Sequence, residues 1–435
     1  MKLLATLALM VACQSLDASP VLQKRFIELD VVLTVIPNSY FPDMFPWQHQ
    51  NNAYLSANAA SGVLKSSPEA ANALSDVTKR SHAAPLFTIT NATVTPPSGD
   101  KRDFLSYAPY WWPNPLDPTG PWIQKDGVIN PDILQLTQQA DLTAATNAMR
   151  SEVLGQVFRG QGSKGYDHVV DQLRAWLVNP KTRMNPNAKY GQVVRNNNPS
   201  TWIGRFEAIL SVRQLAFVPS VVELVRAHSK KWNKKSDDAA VIKWAQEYLD
   251  WLINPPFTPG ASTNVNNHRT YWSCQVVEYQ RFLGKHADAA KTLATFVNTY
   301  LPQQVNATGG MPLEMARTRP HHYGVFNLDA LVYLASFAEQ IRPDTHKPYY
   351  DFWSAQGNAI KKAMDFLIKT FTLDEIELQD VDVLLRLVPT IAARYGDSDG
   401  TYAAFVKSLN MRYQEISHAL SPLFAKPSRN NGYTQ

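Results

Sequence analysis

From residue 133 onward, apolar residues recur every three to four positions, the spacing that lines one face of an α-helix. Breaks such as Asn179-Pro180 and Asn254-Pro255-Pro256 separate these stretches, because proline cannot continue a helix. Residues 51–80 are also predicted to be helical. From 133 onward the pattern predicts helices over 133–158, 166–178, 201–227, 237–253, 268–283, 286–300, 325–340, 349–371, 380–395 and 401–420.

Strand-like alternation is rare, so the sequence predicts an all-α protein. Residues 81–132 differ from the rest because they are rich in proline, glycine and tryptophan, and we interpret them as one long ordered loop. Successive antiparallel helix hairpins can close into a ring or remain an open array, and the periodicity is compatible with both. The long loops are where a functional site is expected.

The N-terminus is typical of a secretory signal peptide. Lys2 precedes an apolar run, 3–12, that is too short to span a bilayer, and small residues follow up to Ala18. We therefore predict a signal peptide over 1–18, a single domain over 19–435 and a secreted, extracellular protein without a membrane segment. Lys24-Arg25 is a candidate processing site, and the two features together indicate a eukaryotic, fungal source.

Composition supports a globular protein rather than a disordered one. Hydrophobic residues make up 45% of the 435 residues and charged residues 18%. The net charge of +5 comes without a dense Lys/Arg stripe, which argues against nucleic acid as a partner. Loss of the signal peptide removes Cys13 and leaves Cys274, so no intrachain disulfide is expected.

Two sequence positions have the form of N-glycosylation acceptors. Asn91 and Asn306 each begin an Asn-Ala-Thr triplet, whereas proline blocks the triplet that begins at Asn198. We predict that the first two carry glycans.

The first segment with candidate chemistry runs from Ser98 to Pro115. It combines rings that can pack on sugars with cations that can meet carboxylates. The candidate substrate-binding residues are Lys101, Arg102, Tyr107, Tyr110, Trp111 and Trp112. The alternative is a loop that its aromatic residues pin to the body of the protein.

The second segment, Asn264 to Trp272, lies where a loop enters a predicted helix. Asn267 could cap that helix, which is the purely structural interpretation. His268 would then occupy the first turn, where the positive end of the helix dipole disfavours its protonated form. A neutral imidazole there is suited to act as a base.

The third segment, Met311 to Gly324, is crowded with ionisable side chains: Glu314, Arg317, Arg319, His321, His322 and Tyr323. Adjacent histidines and a tyrosine in a basic setting suit acid–base work on an anion. Nearby arginines would lower the pKa of Tyr323. The structural alternative is that Glu314 and Arg317 form an ion pair.

Taken together, these segments resemble the alginate lyase superfamily of polysaccharide lyases. The resemblance covers about residues 98–330, with the matching pieces in the family's order. The pieces are Ser98-Gly-Asp-Lys-Arg-Asp-Phe, Tyr110-Trp-Trp-Pro-Asn-Pro, Asp126-Gly-Val-Ile-Asn-Pro, Trp176-Leu-Val-Asn-Pro-Lys-Thr-Arg-Met-Asn-Pro, Asn266-Asn-His, Pro312-Leu-Glu-Met-Ala-Arg-Thr and Tyr323. The family's fold is an incomplete α/α toroid with a deep cleft, so the resemblance favours the ring.

The resemblance implies β-elimination on a 4-linked polyuronate. It implies that Asn267 and Arg317 neutralise the uronate carboxylate, that Tyr323 protonates the leaving oxygen, and that His268 is the base or assists neutralisation. Tyr323 could also take the C5 proton itself. Substrate contacts are expected from the Ser98–Pro115 candidates and from Arg319, His321 and His322. No metal and no cofactor is expected, and the protein is expected to be a monomer.

Departures from the family pattern concern the identity of the substrate. Arg102 stands where the family's Lys-His-Asp-Tyr segment has histidine, and Phe104 replaces its tyrosine. The residues after Gln192 also differ from those of alginate enzymes. Mannuronate and glucuronate share their configuration at C4 and C5, so glucuronan and mannuronate-rich alginate are both candidate substrates.

Two other functions stay open at this stage. A glycoside hydrolase on a similar helical toroid would need paired carboxylic acids, for which Glu207, Glu278 and Glu314 are available. A non-catalytic protein that binds acidic glycans would keep the cleft without cleaving its ligand.

Overall fold

The computed structural model describes residues 51–160, 162–254, 259–342, 350–410 and 423. They belong to one compact unit within Tyr40–Gln435. Regular structure in this part of the chain is almost entirely helical, which confirms the predicted all-α class. The predicted signal peptide, 1–18, and Lys24-Arg25 lie outside the described residues.

Helices follow one another along the whole described chain. In order they are α1 Asn52–Ala60, α2 Val63–Ser66, α3 Pro68–His82, α4 Gln138–Arg159, α5 Asp167–Leu173, α6 Ala208–Ser211, α7 Val218–His228, α8 Ser236–Ile253, α9 Pro259–Thr263, α10 Asn267–Phe282, α11 His286–Thr295, α12 Leu301–Gln304, α13 Pro312–Met315, α14 Pro320–Ala338, α15 Ala355–Thr370, α16 Leu378–Tyr395 and α17 Thr401–Asn410. Two of them, α5 and α11, continue directly into π-helical turns, Arg174–Val178 and Phe296–Tyr300.

Four short strands supplement the helices. They are β1 Leu105–Tyr107, β2 Trp111–Trp112, β3 Ile123–Gln124 and β4 Tyr190–Val193. β1 pairs in parallel with β4, and β2 pairs antiparallel with β3. The region 81–132 is thus an ordered loop, as expected, but two small sheets that the sequence analysis did not predict hold it.

The predicted continuous helix over 201–227 is wrong. Only α6, a 3₁₀ turn at Arg213–Phe217 and α7 are helical there. The stretch before α6 is instead drawn against β4, because the amide of Gly204 donates to the Lys189 carbonyl and that of Arg205 to the Gly191 carbonyl. The start predicted at 133 is also wrong, since 131–135 forms a single 3₁₀ turn and α4 begins at Gln138.

Helix α10 lies between two hydrophobic cores. Trp272 and Val276 belong to the core formed mainly by α4, α5, α7 and α8, whereas Cys274 and Val277 belong to the core formed by α11 and α14–α17. A helix buried on every face is fixed from all sides. Packing against both cores therefore fixes the position of its N-terminal end, which carries His268. Cys274 is a free, buried thiol.

No helix of the described residues is long and apolar enough to cross a membrane.

The second core contains a buried ion pair. Arg386 on α16 donates from Nη1 to Asp329 Oδ1 at 3.1 Å and to the hydroxyl of Tyr333 at 3.1 Å, both on α14. Both charged side chains are almost fully buried. Burial raises the pKa of Asp329, and the guanidinium opposes that shift. Each charge offsets the cost of burying the other, so the pair holds α16 against α14.

We expect Arg386→Met to lower the free energy of unfolding by about 3–5 kcal/mol, because it leaves the Asp329 carboxylate buried without its cation. Lys243→Met is the control, since Lys243 pairs with Glu247 at 3.9 Å on an exposed face and its loss should cost less than about 1 kcal/mol. Urea unfolding measures both. A loss for Arg386→Met no larger than that of the control would contradict the argument.

Candidate active site

His268 lies in the first turn of α10, and Asn266 orients its side chain. Asn266 Oδ1 accepts the backbone N–H of His268 at 3.2 Å and faces its Nδ1 at 2.8 Å. A backbone amide can only donate, so the atom facing Nδ1 is an acceptor and Nδ1 carries the proton. Nε2 is left with the free lone pair. The capping residue is therefore Asn266, and not Asn267 as in the structural interpretation of the sequence.

The imidazole of His268 is held neutral. Burial, together with the positive charges of Arg317 and Arg205, lowers the pKa of His268 to about 4. This agrees with the neutral imidazole predicted from its position at a helix start. At neutral pH the side chain is therefore a base that offers Nε2.

Asn267 is buried and anchors the next segment of the site. Its backbone N–H donates to Glu314 Oε1 at 2.8 Å, and its Nδ2 lies 2.9 Å from both oxygens of the same carboxylate. The Glu314 carboxylate therefore holds both the backbone and the side-chain amide of Asn267. Burial raises the pKa of Glu314, which the hydrogen bonds from Asn267 oppose.

Arg317 follows α13 and lies over the ring of Tyr323, 3.8 Å from its centre. Its Nε and Nη2 bind the carboxylate of Asp126 at 3.2 and 2.6 Å. These hydrogen bonds lower the pKa of Asp126, so it is a stable anion. The structural alternative considered for the sequence, an ion pair between Glu314 and Arg317, is replaced by contacts of each with a different partner.

Tyr323 lies in the first turns of α14, and its hydroxyl is 2.9 Å from the hydroxyl of Tyr110. Burial raises the pKa of Tyr323, the neighbouring Tyr110 adds to the shift, and Arg317 opposes it without reversing it. Arg317 lowers the pKa of Tyr323 as expected, but burial and Tyr110 outweigh it, so the net shift is upward and the expected activation as tyrosinate does not follow. The side chain is a phenol and holds a proton that it can donate.

The predicted substrate-binding residues of the Ser98–Pro115 segment occupy different places. Tyr110 contacts Tyr323, and the neighbouring half-buried Trp111 lies against the guanidinium of Arg205. Trp112 donates from its indole to the Val128 carbonyl and lies beneath the ammonium group of Lys125.

Tyr107 and Arg102 serve the body of the loop. Tyr107 is buried, edge-on to Trp202 and beneath Arg195. Arg102 is bound to Asp100 and to the Pro180 carbonyl. Burial argues against a sugar contact for Tyr107. Lys101 is exposed, and its substrate contact stays a prediction.

The predicted substrate residues after Arg317 form a second layer behind Tyr323. His322 faces Asp380 at 2.8 Å, and its ring packs edge-on to Tyr323. His321 is buried against Phe371, which argues against a direct sugar contact. Arg319 forms an ion pair with Glu377. We interpret these groups as fixing the start of α14.

His322, Glu377 and Asp380 are the group within the described ranges whose ligand atoms could hold a metal ion. The positive charge of Arg319 on Glu377 disfavours a cation there. The expected independence from metal stays a prediction.

Sequence reasoning missed Asn266, Asp126 and Arg205 as residues of the site. Asn266 and Asp126 stand inside the segments that resemble the family, so their positions carried a signal. Arg205 carried none, since it lies in a stretch that the periodicity assigned to a helix.

A neutral base, a cation and a phenolic acid therefore lie close together, with Arg317 over the ring of Tyr323 and its charge acting on His268. This set can neutralise a carboxylate, remove an adjacent proton and protonate a leaving oxygen, which is the chemistry of a polysaccharide lyase acting on a uronate. The chain belongs to the alginate lyase family, whose model matches residues 88–378.

A solved structure described as an alginate lyase from Bacteroides ovatus has the same fold. The TM-score is 0.72 at 24% sequence identity, over 87% of this chain and 99% of that chain. The match confirms the predicted incomplete toroid of helix hairpins. No curated protein sequence matches the chain.

We expect that Asn266→Ala removes the hydrogen bond that keeps the proton of His268 on Nδ1, so that both tautomers are populated. Nitrogen NMR of labelled histidine should show protonated Nδ1 in the wild type, with no titration until the pH falls towards about 4, and a mixture of tautomers in the variant. Turnover should fall about tenfold, because one orienting hydrogen bond is lost.

Asn51→Ala is the matched control. Asn51 caps α1 by accepting the amides of Ala53 and Tyr54, so both variants lose a helix cap worth about 1 kcal/mol. Only the Asn266 variant should change tautomer and turnover. An unchanged His268 spectrum in that variant would refute the orienting role.

Proposed function

We propose that the protein cleaves β-1,4-linked polyuronate by β-elimination and leaves a 4,5-unsaturated uronate end. The observation that carries the proposal is the place of Arg317, whose charge acts on both His268 and Tyr323. If the carboxylate of a uronate bound to Arg317, the C5 proton of that sugar would lie beside His268 and its C4 oxygen beside Tyr323. The name of the similar B. ovatus structure supports a uronate polymer as the substrate class.

The first requirement of the reaction is to neutralise the carboxylate. Asp126 occupies Nε and Nη2 of Arg317, so Nη1 is the nitrogen that remains for a substrate. The resemblance to the family implies that Asn267 adds a further donor. Donors fixed in advance stabilise the negative charge that moves onto the carboxylate as C5 loses its proton.

The proton transfers then divide between two residues. Nε2 of His268 takes the C5 proton, the C5–H electrons form the C4–C5 double bond, and the C4–O4 bond breaks. Tyr323 gives its hydroxyl proton to O4. If Tyr323 served as both base and acid it would have to start as tyrosinate, which its raised pKa opposes. We therefore favour His268 as the base.

We propose glucuronan or mannuronate-rich alginate as the substrate. In both sugars the C5 proton and the C4 oxygen lie on the same side of the ring, so base and acid must reach one face. Arg317 lies near both His268 and Tyr323, which supports a short distance between base and acid. Glycoside hydrolysis is less well supported, because Glu278 is fully buried against Arg281 and Glu314 is buried against Asn267.

Tyr323→Phe should abolish turnover and leave binding of the polymer largely intact, because it removes the acid and keeps the ring beneath Arg317. His268→Ala should lose most activity, on the order of a hundredfold or more, as general base catalysis is lost. Tyr395→Phe is the control, since its hydroxyl bonds only the Trp353 carbonyl among the contacts described. Wild-type turnover by Tyr323→Phe would refute the mechanism.

The substrate is tested by offering glucuronan, polymannuronate, polyguluronate and pectate separately and recording the ultraviolet absorbance of unsaturated uronate. A rise with glucuronan or polymannuronate supports the proposal. New reducing ends without that absorbance would indicate a glycoside hydrolase. Binding without cleavage of any polymer would indicate a glycan-binding protein.

We also propose that the protein is secreted after removal of residues 1–18 and glycosylated at Asn91 and Asn306. Both asparagines are exposed, which an acceptor requires. Mass spectrometry of the protein secreted by a eukaryotic host should show a start near residue 19 and two glycans that Asn→Gln variants remove. Retention of residues 1–18 or unmodified asparagines would contradict this.

A further inference from the structure

A second arginine beside the centre has no part in the proton transfers described above. Arg205 lies over the ring of Trp111, 5.2 Å from its centre, and its Nη2 is paired with Glu207. Its side chain is 30% exposed. Within the described ranges, no hydrogen bond from its Nε or Nη1 is found, so these donors face the solvent or a ligand.

The backbone under Arg205 is rigid. Its amide donates to the Gly191 carbonyl at 3.0 Å, and that of Gly204 to the Lys189 carbonyl at 2.8 Å. A Cβ atom at Gly204 would lie 2.6 Å from both carbonyl oxygens, so only glycine permits this approach. The backbone that carries the Arg205 side chain is therefore fixed in position.

Two contacts place Arg205 next to the catalytic groups. Its charge acts on His268, whose ring is also edge-on to Phe206, the next residue in the chain, at 5.3 Å. Its ring partner, Trp111, follows Tyr110, which bonds Tyr323. Arg205 therefore lies near the base, and the residue that precedes its ring partner Trp111 contacts the acid.

Arg205 and Arg317 are built alike. In each, a carboxylate holds part of the guanidinium, Glu207 in one and Asp126 in the other, while an aromatic ring lies beneath it and at least one nitrogen remains open. A polyuronate carries a carboxylate on every sugar, so one strand offers ligands to both cations.

We propose that Arg205 and Trp111 form a second uronate subsite, which binds the carboxylate of the sugar next to the cleaved linkage. The inference rests on the proposed polyuronate lyase function and deepens it. Glu207 is mostly buried behind the guanidinium and keeps it oriented. Arg205 is a binding residue in this account, and the bond-breaking steps remain with His268 and Tyr323.

The test measures KM, kcat and the pH profile of Arg205→Gln and Arg205→Lys on the polymer that the wild type cleaves best. Both variants should raise KM about tenfold or more through loss of charge-assisted hydrogen bonds, with kcat within about twofold. Lys243→Gln, a surface charge on α8, is the control and should change neither. An unchanged KM in both Arg205 variants would overturn the subsite.

The pH profile separates binding from general damage to the fold. Removing a cation beside His268 raises the pKa of that base, so the acidic limb of kcat/KM should move to higher pH in Arg205→Gln. It should stay in place in Arg205→Lys, which keeps the charge. If Arg205→Gln does not fold, the KM of Arg205→Lys decides the question. A fall in kcat at unchanged KM would make Arg205 a positioning residue and overturn the proposal.

Failure of the subsite is distinguishable from failure of the proposed function. If the wild type forms no unsaturated product, the lyase proposal fails, and calorimetric titration with glucuronan or polymannuronate then decides the subsite. Weaker binding by Arg205→Gln than by the wild type and Lys243→Gln would support it. Equal binding by all of them, or no binding to the wild type, would overturn it.

Discussion

The buried carboxylate of Glu314 joins the two segments that carry the proposed catalytic groups. It accepts the backbone and side-chain N–H groups of Asn267 and so fixes α13 to the first turn of α10. His268 is the next residue on one side of this contact, and Arg317 lies three residues beyond it on the other. A buried carboxylate is costly without such donors, so the contact forms completely or the segments separate. The relative position of base and cation therefore depends on it.

Around Glu314, carboxylates form ion pairs with arginines, and the charge of these arginines shifts the pKa of the acid and base groups. Asp126 restrains Arg317, which lies over Tyr323 and adds to the effect of burial that keeps His268 neutral. Burial raises the pKa of the tyrosine and lowers that of the histidine. Burial thus keeps the acid protonated and the base deprotonated at the same pH, and the arginine adds a site for the substrate's charge.

Much of this could be predicted from the sequence, and the failures have physical causes. Helices such as α8 and α10 have clear apolar periods that their packing preserves. The stretch before α6 carries a similar period, but pairing of Gly204 with β4 overrides it, and that contact joins residues the periodicity does not relate. His268 and Tyr323 were found through their types and segments. The direction of the pKa shift of Tyr323 could not be predicted, because the extent of its burial, which outweighs the neighbouring cation, depends on the fold. Arg205 was missed for the same reason as the helix break.

The most direct test of the account is a crystal structure of the inactive Tyr323→Phe variant with a bound uronate oligosaccharide. The account predicts a substrate carboxylate at hydrogen-bonding distance from Nη1 of Arg317, with C5 of the same sugar facing Nε2 of His268. A carboxylate bound away from Arg317, or a C5 atom turned away from His268, would contradict it.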